Sequence, residues 1–351
     1  MKWGWWFGWV LLWLTPGAGA LDLPPRQDVR VVVISDLNSQ YGATDYESQV
    51  KRAIALIPTW QPDLVLCSGD MIAGQDSSLS TQQIRAMWAG FDRHIAQPLR
   101  QAGLPFGFTL GNHDSSSYQT RTGSYPYQRD RAEAIRYWQG QDPKLNFVDR
   151  TGFPFYYTFQ QQGVFYLVWD ASSAQIPSTQ LTWAKRSLAS PTAKTAKMRV
   201  VIGHLPLYAV AKGRDKPGEV LADAEQLRGL LEQYRVHTYI SGHQHSYYPG
   251  HRGQLQLLQT SALGSGPRPL ISGPPQRRNT LTVVDLDLKK STTTYTTYDL
   301  KTMTVIDPTT LPRFLVGPRG LVLRRDVRWE QLTRQEQATC VNQLGAGRCG
   351  P

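Results

Sequence analysis

The chain has 351 residues, 40% of them hydrophobic and 19% charged, with a formal net charge of +11. That balance is ordinary for a folded protein with one large core or two smaller ones, and no internal repeat or long low-complexity linker interrupts it. The basic excess favours anionic partners, whether phosphate compounds, nucleic acid or an acidic membrane surface, yet the densest basic segment, "LRRDVRW" (323–329), is short and reads as a solvated face.

From the N-terminus, Lys2 precedes the apolar run "WGWWFGWVLLWL", Pro16 and Gly17 break it, and Ala18, Gly19 and Ala20 form a small-residue cleavage pattern. The run is shorter than the ~20 residues of a spanning helix, so residues 1–20 are expected to be a signal peptide. No second span is evident. The mature protein is therefore expected to be exported, periplasmic or extracellular, without stable membrane insertion after cleavage. "VRVVVIS" then reads as a fully buried strand, "YESQVKRAIALI" as a helix stopped by Pro58, and "PDLVLCSG" as a strand with Cys67 a small buried hydrophobe. "STQQIRAMWAGFDRHIAQPLRQAG" reads as one helix with Ser80 as N-cap and Gly103 as stop, and "PFGFTLGN" as a third strand. A β-α-β-α-β start implies a mostly parallel sheet covered by helices.

The second half is richer in paired strands. "FYYTFQQQGVFYLVWD" is a hairpin pattern with Gly163 near its turn, and "TQLTWAKRSLA" and "ADAEQLRGLLEQY" are helices. "MRVVIGH", "HTYISGH", "GQLQLLQTSA" and "NTLTVVDLDLKKSTTTYTTYDL" supply strands, and the Gly- and Pro-rich residues 264–279 a loop. The main domain is placed at 21–306. Beyond it the pattern weakens, and 307–351 is expected to be an appendage packed on the same domain. Cys340 and Cys349 bracket a short tail loop, and a disulfide is the expectation in an exporting compartment, two free thiols the alternative.

Chemistry-bearing residues gather where these strands end. Asp36 follows the first, Asp70 the second, and Asn112, His113 and Asp114 the third; His204 closes one later strand, and His243 and His245 another. Four of the seven histidines lie in these turns. A lone Gly-Asp is ordinarily a turn and a lone Gly-His a satisfied histidine. An ordered set of five such turns, two with paired candidate ligands, is not ordinary. In a parallel sheet such ends converge on one edge, where α/β proteins bind ligands.

In this order "DLN", "GD", "GNHD", "GH" and "GHQH" resemble the motifs of the calcineurin-like metallophosphoesterases, which include the purple acid phosphatases. The resemblance spans roughly residues 29–300. It implies an α/β fold, a four-layer α/β/β/α sandwich, with two divalent metal ions (Mn, Fe, Zn or Mg) at the strand ends. By that analogy Asp70 bridges the metals, Asn112, His204 and His243 complete one shell, and Asp36 and His245 belong to the other. His113 then protonates the leaving oxygen or binds phosphate, and Asp114 orients it. The chemical logic is independent of the name: a phosphate ester is an anion, and paired cations bind its oxygens and activate water.

Asn38 stands where the family often has His. Purple acid phosphatases supply a Tyr three residues after the bridging Asp, and here that position is Ala73. Asn38 is open to three roles: coordination through its amide oxygen, holding a water, or marking a weak site. Tyr41 and Asp45 are nearby substitutes. The expected function is an exported metal-dependent phosphoesterase acting on a small phosphate ester, with no nucleic-acid partner. A degenerate member that binds metal or phosphate without turnover is the alternative, and a nucleic-acid binder using the basic surface a third. Residues 115–128 and 246–253 follow metal motifs and are expected to line the cleft.

Overall fold

A computed structural model of the protein describes residues 24–349; the expected signal peptide lies outside the described residues. Strand β1 (Val29–Ile34) is buried throughout because its alternate side chains serve two cores. Val32 and Ile34 face a helical layer, while Val29, Val31 and Val33 face a second sheet. β2 (Leu64–Cys67) and β3 (Phe106–Phe108) pair with it in parallel succession. Helix α1 (Ser48–Leu56) ends in the Pro58 turn. Helix α2 (Thr81–Phe91) starts at Ser80, whose side chain and that of Gln83 form a reciprocal capping box.

The single helix expected over residues 80–103 is interrupted. A π turn at Asp92–Ala96 separates α2 from α3 (Gln97–Gln101). Pro98 accounts for it: its ring crowds the carbonyl four residues back and it has no N–H to donate, so the ladder widens just before it. The one-turn α4 (Asn112–Ser115) and the helix α5 (Gln128–Gln139) follow.

The hairpin read around Gly163 is β5 (Tyr156–Gln161) and β6 (Val164–Val168), preceded by an edge strand, β4 (Phe147–Gly152). Helices α6 (Ser178–Leu188) and α7 (Pro191–Thr195) lead to β7 (Met198–Ile202), and α8 (Ala224–Gln233) to β8 (Thr238–Ser241). β9 (Tyr248–Arg252) and β10 (Leu255–Gln259) form a hairpin, as do β11 (Thr280–Asp287) and β12 (Thr292–Asp299), with the short β13 (Thr304–Val305) beside β12.

One sheet has six strands in the order β13-β12-β11-β1-β2-β3. After β14 (Phe314–Gly317) and β15 (Gly320–Arg324), the other has nine, in the order β14-β15-β9-β10-β8-β7-β6-β5-β4. Their facing sides share one core, with Val31 and Leu66 meeting Tyr166, Val200 and Ile240. α1, α2 and α5 cover the outer face of the first sheet, and α6, α7 and α8 that of the second. The result is the four-layer α/β/β/α arrangement. The tail is less separate than its weak pattern implies: the β14–β15 hairpin pairs onto β9, and helix α9 (Arg334–Leu344) closes over it with Cys340 bonded to Cys349. No helix among the described residues is long and apolar enough to cross a membrane.

Candidate metal centre and cleft

The parallel strands β1, β2 and β3 of one sheet and β7 and β8 of the other end at the same place. Asp36, Asp70 and Asn112 come from the first set, and His204, His243 and His245 from the second. The turns are tied to one another: the Asp36 amide donates to Gly69 O at 2.9 Å, Leu37 to Asp70 O at 2.8 Å, and Gly242 to His204 O at 3.0 Å. Asp36, Asp70, His243 and His245 all adopt left-handed backbone conformations, with φ between 50° and 66°. Each costs a non-glycine residue roughly 1–2 kcal/mol, strain that is held where side chains are aimed at a shared point. Gly69, at φ 101°, lets that point form; a Cβ there would lie 2.5 Å from His204 Nδ1.

Oxygens of Asp36 and Asp70 and a ring nitrogen of His245 lie within 4.8 Å of one another. His245 Nε2 is 3.2 Å from Asp36 Oδ1, while its Nδ1 faces Gly266 O at 2.9 Å. Beside this group, His204 Nε2 lies 3.0 Å from Asn112 Oδ1 and 3.3 Å from Asp70 Oδ2, and His243 Nδ1 lies 2.9 Å from Asn112 Oδ1. The outer nitrogens of these two rings face Ser68 O at 2.7 Å and Glu219 Oε2 at 2.8 Å. Asn112 Nδ2 donates to Gln75 Oε1 at 2.6 Å, which turns its oxygen inward.

This pattern is a test of fit for metal. Each outer nitrogen meets an acceptor and so carries the proton, which leaves the inner nitrogen a lone pair. Those lone pairs face carboxylate and amide oxygens, acceptor against acceptor, and only protons or cations reconcile them. Outer partners of this kind are what fix ligating histidines, so the donor set suits divalent cations. The charges agree. Burial alone would lower the His204 imidazole, but Asp70 and Asp36 push it up to about 9. Asp70, despite burial, is held well below the usual carboxylate range by the charges of His204 and His113. Burial takes His243 down to about 4, against its hydrogen bond with Glu219.

His113 sits at the rim, its Nε2 3.9 Å from Asp70 Oδ2 and its Nδ1 2.9 Å from Gly74 O. Asp114 does not orient it, contrary to the expectation from the motif. The Asp114 carboxylate is fully buried and accepts from the amides of Met71, Ile72 and Gly111 at 2.8, 2.9 and 2.8 Å, so it builds the turn that carries Asp70 and Asn112. The Gly74 carbonyl takes the orienting role instead.

Residues 29–247 match the family model for calcineurin-like phosphoesterases. The chain belongs to this family. No curated protein matches it. Among solved structures it is similar to a purple acid phosphatase from yellow lupin (Lupinus luteus) seeds, at 15% identity and a TM-score of 0.55 over 81% of this chain. The chain spans about half, 54%, of the lupin protein. It is also similar to a dimetal phosphatase from Danio rerio, at 14% identity and a TM-score of 0.50, covering 74% of this chain and 93% of that one. A third likeness, at 14% identity and 0.52, covers 92% and 96% and is to the anchor of the inner membrane complex of Plasmodium. These likenesses concern the fold.

Asn38, where calcineurin-like phosphoesterases often have His, is buried beside this centre, with its amide donating to Asp70 O at 3.3 Å and its carbonyl accepting from the Ser265 amide at 3.2 Å. Its carboxamide pairs with no described residue. The two substitutes read from the sequence do not enter the centre. Tyr41 is 59% exposed and lies over the His113 ring at 5.2 Å, and Asp45 is taken by Lys51 and His94 at 2.6 and 3.1 Å.

A cleft of about 1030 Å³ opens from Asn112 and His243. Ser116, Ser117, Tyr118, Gln119 and Tyr125 line it, as expected for residues 115–128. The other expected segment does not: Tyr247 and Tyr248 are buried, and Tyr248–Arg252 is strand β9. In that segment a buried strand was hidden by Pro249 and Gly250. The wall holds residues that no motif announces, including the pair Arg131–Asp170 at 3.1 Å and the pair Arg214–Glu219 at 2.6 Å. Glu219 and Gln75 stand at no fixed spacing from His243 and Asn112, which they orient, so nothing in the sequence separates them from ordinary loop residues.

Proposed function

We propose that the protein is an exported metal-dependent phosphoesterase that hydrolyses small phosphate esters without a covalent enzyme intermediate. The observation that carries the reading is the set of inner imidazole lone pairs facing Asp36, Asp70 and Asn112 Oδ1, with His113 just outside. Two divalent cations bound there would supply charge for the phosphate oxygens and acidify water. Asp36, Asp70 and His245, with Asn38 beside them, would hold one, and Asp70, Asn112, His204 and His243 the other. Ser68, Gly266 and Glu219 keep each imidazole turned inward. His113, with Nδ1 committed to Gly74 O, presents Nε2 to the leaving oxygen and carries its proton or binds phosphate. The aromatic and hydroxyl residues of the cleft receive the organic group.

A second reading, a member that binds metal or phosphate without turnover, is favoured by one observation, Asn38 in place of His. Elemental analysis of the purified protein, alongside a phosphatase and phosphodiesterase screen with added metals, separates the two. Bound transition metal with turnover supports the enzyme; bound metal with no turnover on any ester favours the binder. Nucleic acid is not an expected partner, and duplex DNA binding with a steep salt dependence would overturn that.

A further inference from the structure

Of the arginines that line the cleft, Arg131 is neutralised by Asp170 and Arg214 by Glu219. Arg319 also lines it and stands in no ion pair with a described residue. It comes from the tail, at the turn between β14 and β15, some seventy residues beyond the stretch that matches the family. The turn is held firmly. β15 pairs with β9, Arg252 Nη1 donates to Leu321 O at 2.9 Å, and Gly320 packs against Tyr208 and Arg252. Arg319 Nη1 itself donates to the carbonyl of Ala222, which fixes the guanidinium on the wall and leaves its other N–H groups open. A positioned, uncompensated guanidinium is suited to bidentate recognition of an oxyanion at low ordering cost. Asp223, a cleft carboxylate, is exposed and forms no ion pair with it.

We propose that Arg319 is a specificity residue that binds a second anionic group of the substrate, a phosphate or a carboxylate, at a distance from the scissile ester. This rests on the phosphoesterase reading. The tail is then a wall of the substrate site, and its attachment to β9 is what places the cation.

The test uses the full chain loaded with Mn²⁺ and a series of n-alkyl phosphates, each matched to its ω-carboxyalkyl phosphate and its α,ω-bisphosphate. Wild type is expected to prefer the second-anion members, with an optimum chain length. Arg319→Gln should raise KM for those members about tenfold or more while leaving kcat, and the plain alkyl phosphates, within about twofold. Arg319→Lys should recover part of the preference, and Asp223→Asn should increase it. The carboxylate and bisphosphate arms tell which oxyanion is favoured. Equal losses on all three classes would overturn the proposal in favour of a structural clamp on Ala222, and no loss would overturn it outright. If wild type hydrolyses no ester, the catalytic reading fails by itself. Calorimetric binding of the matched phosphonates then decides Arg319: a second-anion advantage that Arg319→Gln removes supports it, and equal affinities overturn it.

Discussion

The proton that matters at His113 is the one on Nε2, because Nδ1 is committed to the Gly74 carbonyl. As a group outside the metal shell, His113 should be dispensable for metal binding but not for turnover. His113→Gln is expected to keep full metal content and to lower kcat by ~10²–10⁴-fold on alkyl esters, with a smaller loss on aryl esters, whose leaving groups need less protonation. Equal losses on both would move His113 from proton donor to phosphate ligand. Asn38 invites the complementary change. An amide oxygen is a weaker donor than imidazole to Zn²⁺, Fe²⁺ or Co²⁺. Asn38→His should therefore tighten the site formed by Asp36, Asp70 and His245, leave the other unchanged, and make activity less dependent on added metal; calorimetric titration of both proteins reads it. Unchanged affinities would mean that Asn38 points away from the metal. The candidate ligands were legible as a group because each motif is local, a strand, a glycine and a polar residue. Their partners were not, because Glu219 meets His243, and Gln75 meets Asn112, only through the fold. Asp114 shows the opposite error: a motif neighbour looked like a partner, yet its carboxylate was already spent on three backbone amides.

At the scale of elements, the loop after β2 is wedged against the first turn of α5. Asp130 of that helix is buried, with Oδ1 3.4 Å from the Gln75 amide and too close to Gly74 for any side chain there. Burial pushes its carboxyl up to about 6, from an ordinary 3.8. The native state thus holds its proton to higher pH than the unfolded chain, so this group costs stability progressively as pH rises from about 4 to about 6, and fully above that. Asp130→Asn keeps an acceptor for Gln75 and removes the charge. The variant should be more stable than wild type by up to about 3 kcal/mol at pH 7.5, and the gap should close near pH 4; denaturant melts at the two values check it. A gap that persists at pH 4 would place the gain in packing rather than ionisation. Elements were readable where the pattern was apolar and long, as in β1 and α2. β4, in a segment of exposed and half-buried residues, and β9, with Pro and Gly inside it, lack that pattern and take their strand form from pairing partners.

For the whole molecule, the sequence implied one sheet edge, whereas Asp36, Asp70 and Asn112 follow strands of one sheet and His204, His243 and His245 strands of the other. Sequence periodicity places strands but not the sheet to which each is hydrogen-bonded, so β1–β3 and β7–β8 read alike. Divalent cations held there would cross-link the two halves of the sandwich. Two buried carboxylates, Asp36 and Asp70, meet there, and their mutual repulsion is relieved by positive charge. Anything that binds only the folded form stabilises it by mass action, about 2.7 kcal/mol at a concentration 100 times Kd, which for a domain of this size is on the order of 5 °C in Tm. Chelation should lower Tm by roughly that amount, with both sheets melting in one transition, and Mn²⁺ should restore it. Asp70→Ala removes the residue proposed to bridge the two cations, so its Tm should not respond to chelator or metal. A wild-type Tm indifferent to chelation would mean the centre binds too weakly to cross-link the sheets. A chelator response that survives in Asp70→Ala would show that a cation can be held by one set of ligands alone, and the bridge would then be unnecessary to stability.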